Sequence, residues 1–251
     1  MKKLCVISMS GGLDSTTLAL KAIEDGYTIL PINVKYGQKN NIELEAFKKL
    51  VAYFQKNYGD QFMDPIILNL EGMLKTSLDL YKKIRDNKQV EETTGLEFYT
   101  PSRNLVFSTL ASMVGEIAAI ADGLTSVKIG LGIHKHSDIY PRDYWDITPE
   151  FVSRLNHLMA LNDNISIEMY APYADQFKSE IVKDGIRLNI PYSNTWTCYE
   201  PIETKVDKTI YEYTPCLKCE ACLERQSAGD LAGYPDINNY SIHLNKLSEG
   251  L

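Results

Sequence analysis

Short apolar runs alternate with longer amphipathic stretches as far as residue 194. Leu4-Cys5-Val6-Ile7, Thr28 to Val34, Pro65 to Leu70, Val127 to Leu131 and Ile165 to Tyr170 have the length and β-branched content of strands. Between them lie helical patterns. Leu18 to Ile23 is one. Glu43 to Phe54 is another, with Leu44, Phe47, Leu50, Val51 and Phe54 at helical spacing. Leu105 to Ala121 is apolar around much of its circumference, which predicts a buried helix. Phe151 to Leu161 and Phe177 to Leu188 complete the set, and the polar stretch 86–101, ending in Pro101, reads as a loop. Strands separated by helices imply right-handed crossovers, hence an α/β fold with a parallel five-stranded sheet and helices on both faces. Ligands of such sheets bind beyond the strand C-termini. Ser8 to Ser15, Tyr36 to Lys39 and Gly132 to Asp138 all follow strands in that way. After Asn194 the periodicity stops, which predicts an α/β domain over 1–193 and a small C-terminal region over 194–251.

Net charge is −7 over 251 residues, so broad nucleic-acid binding, which needs a basic face, is not expected. The apolar run behind Met1-Lys2-Lys3 is too short for a signal-peptide core, and no run approaches 18 apolar residues. The expectation is a cytoplasmic protein with no membrane partner.

The first strand runs into Ser8-Met9-Ser10-Gly11-Gly12-Leu13-Asp14-Ser15-Thr16-Thr17 and then a helix. Strand, glycine-rich turn and helix start make an anion cradle, because glycines let backbone approach an oxyanion and free amides at the helix start bind it. A lysine-bearing Walker loop is absent; Asp14 stands in its place, and an acid beside a phosphate implies a metal ion between them. The segment resembles the pyrophosphate loop of the ATP pyrophosphatases, which split ATP into AMP and pyrophosphate.

Four of the five cysteines crowd into the C-terminal region. Cys216, Cys219 and Cys222 are spaced by two residues each, and 17 residues separate Cys198 from Cys216. Four thiolates with two short gaps suit a closed tetrahedral zinc site with a structural role. The rival is an iron–sulfur cluster, but no further cysteine followed by proline closes the run. Cys5, inside the first strand, reads as a small buried hydrophobe.

Together these segments resemble the 7-cyano-7-deazaguanine synthases, the QueC family of the queuosine pathway. The resemblance rests on Ser10 to Thr17, Tyr36-Gly37-Gln38-Lys39 with Glu43 to Ala46 behind it, and Pro101-Ser102-Arg103-Asn104. Further matches are Lys178-Ser179-Glu180-Ile181-Val182, Thr195 to Tyr199, and Cys216 to Arg225. It implies a Rossmann-like, adenine nucleotide α-hydrolase-like sheet with a C-terminal zinc segment, and ATP, Mg²⁺ and Zn²⁺ as cofactors. It also implies 7-carboxy-7-deazaguanine as substrate. The carboxylate is adenylated, ammonia gives the amide, and a second ATP turns the amide into the nitrile. A homodimer is typical of the family.

The resemblance places Ser8, Ser10, Gly11, Gly12, Leu13, Asp14, Ser15, Thr16, Tyr36 and Gln38 at the nucleotide, and Asp14, Lys178 and Arg103 in catalysis; Gly130, at the end of the fourth strand, is a further nucleotide-binding candidate by its position. Arg103, Asn104, Asp138 and Asp143 are the expected substrate contacts, with Asp146 a further candidate for the guanine-like edge. Cys198, Cys216, Cys219 and Cys222 would hold zinc. Gly132 lies where adenine or substrate would enter. His134 and His136 are candidates for acid–base work, Trp145 for stacking, and Trp196 for packing beside the zinc loop. Two departures stand out. His134 to Asp146 replaces the family's usual Tyr-Pro-Asp-Cys-Arg, and Glu200 to Pro215 is inserted between the first two zinc cysteines. Both bear on the acceptor, which makes a protein amine the alternative to ammonia, as in QueC-like proteins of anti-phage operons. A tRNA-sulfurating enzyme or a non-enzymatic zinc module fits less of the chain.

Overall fold

The computed structural model describes residues 2–36, 42–70, 102–135 and 144–245. Gln38, Lys39, Pro101, His136, Asp138 and Asp143, and the expected loop up to residue 101, lie outside them. Five parallel strands form the main sheet: β1 (Leu4–Ser8), β2 (Thr28–Lys35), β3 (Ile66–Asn69), β4 (Ser126–Gly130) and β5 (Ser166–Tyr170), in the order β3-β2-β1-β4-β5. Central β1 is buried on both faces because every residue from Leu4 to Ile7 is apolar. Its alternation divides the core. Cys5 and Ile7 pack with α1 (Leu13–Glu24), α2 (Ile42–Tyr58) and the later helix α5 (Lys178–Arg187). Leu4 and Val6 pack with α3 (Arg103–Ala121) and α4 (Pro149–Met159). The doubly covered sheet is the one the sequence predicts, and burial drives the Cys5 thiol far above its ordinary pKa, as suits an inert hydrophobe.

One expectation needs correction. The helix α3 is not buried all round: Met113, Ile117 and Ile120 are 49%, 61% and 59% exposed. Its sheet face carries small residues instead, Ser108, Ala111, Ser112, Gly115 and Ala119. A Cβ on Gly115 would lie 2.9 Å from Ile129 Cδ1, so the close approach needs the glycine. α3 is long and apolar enough to cross a bilayer, but one face packs on the sheet and Arg103 and Asn104 at its start line a cavity, so here it is a core helix.

Regular structure also continues after Asn194. β6 (Ile202–Lys205), β7 (Ile210–Thr214) and β8 (Ile242–Asn245) form an antiparallel sheet, and α6 (Glu220–Ala232) packs on α5. The inserted segment is thus largely a β-hairpin. β6 is exposed at every position and has no alternation to read. α6 buries Ala221, Cys222, Arg225, Ala228 and Gly229 at helical spacing, but small residues and an arginine carry the pattern.

Candidate active site

In this strand order the chain reverses direction across the sheet between β1 and β4, and α1 and α4 leave on opposite faces. That opens a crevice at the strand C-termini. A cavity of about 220 Å³ fills it, walled by Ser8 to Ser15 except Gly11, by Leu131 to Ile133 after β4, and by Tyr36 after β2.

The loop after β1 is fastened from beneath. Met9 N–H donates to the Ile32 carbonyl at 2.8 Å, and buried Asn33 Nδ2 donates to the Met9 carbonyl at 2.8 Å. Gly11 takes φ +95°, where a side chain is strained, and its Cβ would sit 2.6 Å from Glu43 O and 2.8 Å from Phe47 N. Gly11→Ala is therefore expected to destabilise the fold by at least about 1–3 kcal/mol, the usual range for such backbone strain. Chemical denaturation measures it. Gly12 caps α1 without a side-chain hydrogen bond, leaving N-terminal amides facing the cavity. Gly132 preserves access to them, since a Cβ there would lie 3.0 Å from Ser15 N.

Asp14 projects from the first turn of α1. Its Oδ2 is 3.3 Å from Lys178 Nζ and 3.9 Å from His134 Nε2, and its buried Oδ1 has no hydrogen-bond partner among the described residues. An orphaned carboxylate oxygen beside a phosphate-sized cradle fits a hard divalent cation, which takes oxygen ligands. Lys178, 6% exposed at the start of α5, also pairs with Glu224 Oε2 at 2.9 Å. Burial alone would lower its pKa, but Asp14 and Glu224 outweigh that and hold it well above the ordinary lysine value. Lys178 is thus a fixed cation at the loop.

The far wall joins β2 to α3. Tyr36 stacks at a tilt on Phe107, centroids 5.5 Å apart, and hydrogen-bonds Arg103. Burial pulls the Arg103 pKa down, but Tyr36, Tyr199 and Glu43 raise it overall, so the guanidinium stays charged. Asn104 N–H donates to Asp146 Oδ2, and its Nδ2 donates to the Asp146 carbonyl, both at 3.1 Å. Asp146 is buried and caps α3; it does not line the cavity as the sequence reading allowed.

Cys198, Cys216, Cys219 and Cys222 bring their sulfurs within 4.8 Å of one another, with Cys219 and Cys198 4.0 Å apart. A tetrahedral zinc ion with Zn–S bonds of about 2.3 Å needs sulfurs about 3.8 Å apart, so the four thiols can hold it. A hydrogen bond with Cys222 leads the effects that bring the Cys198 pKa down to about 5, helped by Cys216 N–H at 3.3 Å. This centre adjoins the loop after β1: Trp196 N–H donates to the Gly11 carbonyl at 2.9 Å, and Trp196 Nε1 donates to the Cys198 carbonyl at 2.9 Å.

The cavity therefore gathers Ser8, Ser10, Gly12, Leu13, Asp14, Ser15, Tyr36, Arg103, Asn104 and Lys178. Gly11 and Thr16 shape the loop from behind; Thr16 Oγ1 donates to the Gly12 carbonyl at 2.7 Å. Gly130 does not line the cavity. It is buried in β4, where a Cβ would come 2.7 Å from Ile7 Cγ1. Trp145 packs edge-on against Phe151 at 5.4 Å, also outside the lining. Trp196 both packs beside the cysteines and lines the cavity. His134 stands close to Asp14, and its Nδ1 hydrogen-bonds the Lys135 carbonyl at 2.6 Å. Glu43, Tyr199 and Glu224 line the cavity without having been singled out in the sequence. Each lies within a segment that carried the resemblance but was given no role there, because its direction depends on how α2 and the cysteine segment close over the sheet.

Fold and cavity define a doubly wound α/β protein with an anion loop at the switch point and a four-cysteine centre beside it. The family model described as "Queuosine biosynthesis protein QueC" matches residues 4–233, and the chain belongs to that family. Among curated relatives, the "7-cyano-7-deazaguanine synthase" of Rickettsia felis is 30% identical over 243 residues, covering 96% of this chain and all of that protein. A protein of the same description from Caldicellulosiruptor saccharolyticus is 31% identical, with 95% of this chain and 96% of that one covered.

Proposed function

We propose that this protein uses ATP to convert 7-carboxy-7-deazaguanine to 7-cyano-7-deazaguanine, with ammonia as the nitrogen donor and AMP and pyrophosphate as by-products. The observation that carries the reading is the convergence of the lysine-free anion loop, Lys178 and Arg103 on one cavity beside the cysteines, in a chain of this family. A carboxylate does not expel oxide, so it must be activated. Its oxygen attacks the α-phosphorus, pyrophosphate leaves, ammonia displaces AMP to give the amide, and a second ATP removes the amide oxygen as AMP.

In this scheme the amides around Gly12 and Ser15 and the hydroxyls of Ser10 and Ser15 hold the β- and γ-phosphates that depart. Lys178 balances the charge that builds up there. Asp14 would hold magnesium, whose charge would neutralise phosphate oxygens. Arg103 and Asn104 take the acid or its α-phosphate partner on the opposite wall, where the planar guanidinium suits either anion. Cys198, Cys216, Cys219 and Cys222 would hold zinc, which would keep the cysteine segment folded against the loop in a structural role.

The test is to incubate the zinc-loaded protein with ATP, Mg²⁺ and ammonium, with and without the acid, and separate the nucleotides chromatographically. AMP and pyrophosphate that form only with the acid support the reading. ADP as the product, or AMP formation indifferent to the acid, contradicts it.

A further inference from the structure

Lys178 is the first residue of α5, where the positive end of the helix dipole disfavours a cation, and it is almost wholly buried. Such an ammonium persists only beside anions. It has two. Asp14 belongs to the phosphate loop, and Glu224 reaches in from α6, two residues beyond the cysteine ligand candidate Cys222. Glu224 is the closer, at 2.9 Å against 3.3 Å, and both carboxylates face the same cavity.

The two anions are not equivalent. A divalent cation accompanying phosphates would engage Asp14, whose buried Oδ1 has no partner among the described residues. If Asp14 were the sole counter-charge, the ammonium would have to stay locked on Asp14 and compete with that cation. With Glu224 present, Lys178 keeps a neutralising partner while Asp14 turns to the metal. We infer that Glu224 is a positioning residue: it anchors the Lys178 ammonium over the phosphate loop and so leaves Asp14 free for the cation that arrives with the nucleotide. It acts through Lys178 and touches no reacting atom. The inference rests on the nucleotide reading above, but it concerns binding and needs no turnover.

The experiment is a double-mutant cycle on zinc-loaded protein, with ATP·Mg²⁺ binding measured by calorimetry in the absence of the acid. Glu224→Gln, a change of charge with little change of shape, is expected to weaken binding about tenfold, the scale of a lost charged hydrogen bond. In a Lys178→Met background the same change is expected to have no effect. A structural role would instead give an equal loss in both backgrounds. Zinc content and melting temperature verify that each variant is folded. Should Glu224→Gln lose either, Glu224→Asp takes its place in the same cycle, since it keeps the charge but draws it back by one methylene. Weaker binding that vanishes without Lys178 supports the inference. Wild-type affinity in the substituted protein, or a loss that persists undiminished without Lys178, overturns it. A wild-type protein that binds no ATP·Mg²⁺ overturns the nucleotide reading itself, and the inference with it.

Discussion

Asp14→Asn is expected to lower AMP formation about 10²- to 10³-fold, the scale on which a preorganised group at a developing charge acts. The substitution removes one charge and almost no volume. Among the described residues Oδ1 has no hydrogen-bond partner to lose, and Lys178 keeps Glu224 as its counter-ion, so the fold has little reason to change. What is lost is the only carboxylate between Ser8 and Thr17, which in the proposed mechanism would be the ligand for the cation that screens the triphosphate. Initial rates across a magnesium titration, with melting temperature as the control, measure it. An asparagine variant with wild-type rates at every magnesium concentration would remove Asp14 from the mechanism.

Loss of the zinc centre is expected to have the largest effect on stability. Cys222→Ser, or zinc removal by a strong chelator, should release the C-terminal segment and abolish nucleotide binding together. Structural zinc sites contribute about 10–16 kcal/mol of apparent binding energy to folding at neutral pH. Here the cysteines flank the inserted hairpin and the start of α6, so an ion shared among them would pin all three. α6 in turn carries Arg225, which is fully buried. Its guanidinium donates to the carbonyls of Ile237 and Tyr192 at 3.1 Å and to Thr197 Oγ1 at 2.8 Å, and lies 4.3 Å from the Tyr240 ring centroid. Burial pulls its pKa down, and the hydrogen bonds and the ring face offset the cost of keeping that charge inside. Hydrogen exchange should show protection lost over 196–199 and 216–232. A zinc-free protein with unchanged protection and ATP affinity would contradict the role.

How much of this was legible beforehand depended on which residues carry each pattern. The five strands of the main sheet are written in aliphatic residues, so their number and rough bounds follow from the run lengths alone. The phosphate loop was legible because its glycines and its acid do local work. α6 was not, since its buried face is made of alanine, glycine, cysteine and arginine. The exposed β6 offers no alternation at all. α3 misled in the opposite direction: its apolar residues face outward as well as inward, because close packing on β1 and β4 required small ones. Within the site, Asp14 and Lys178 could be named from their segments. Their pairing, and the arrival of Glu224 from a helix 46 residues after Lys178, are products of tertiary closure.

The central claim is that the carboxylate oxygens of the acid leave on AMP. It is tested by giving the protein 7-carboxy-7-deazaguanine labelled with oxygen-18 at both carboxylate positions, together with ATP, Mg²⁺ and nitrogen-15 ammonium, and weighing all products by mass spectrometry. The account predicts a free nitrile containing nitrogen-15 and, for each nitrile, two molecules of AMP that each carry one heavy oxygen. Unlabelled AMP, label in inorganic phosphate, or the deazaguanine found only in amide linkage to a protein amine would contradict it.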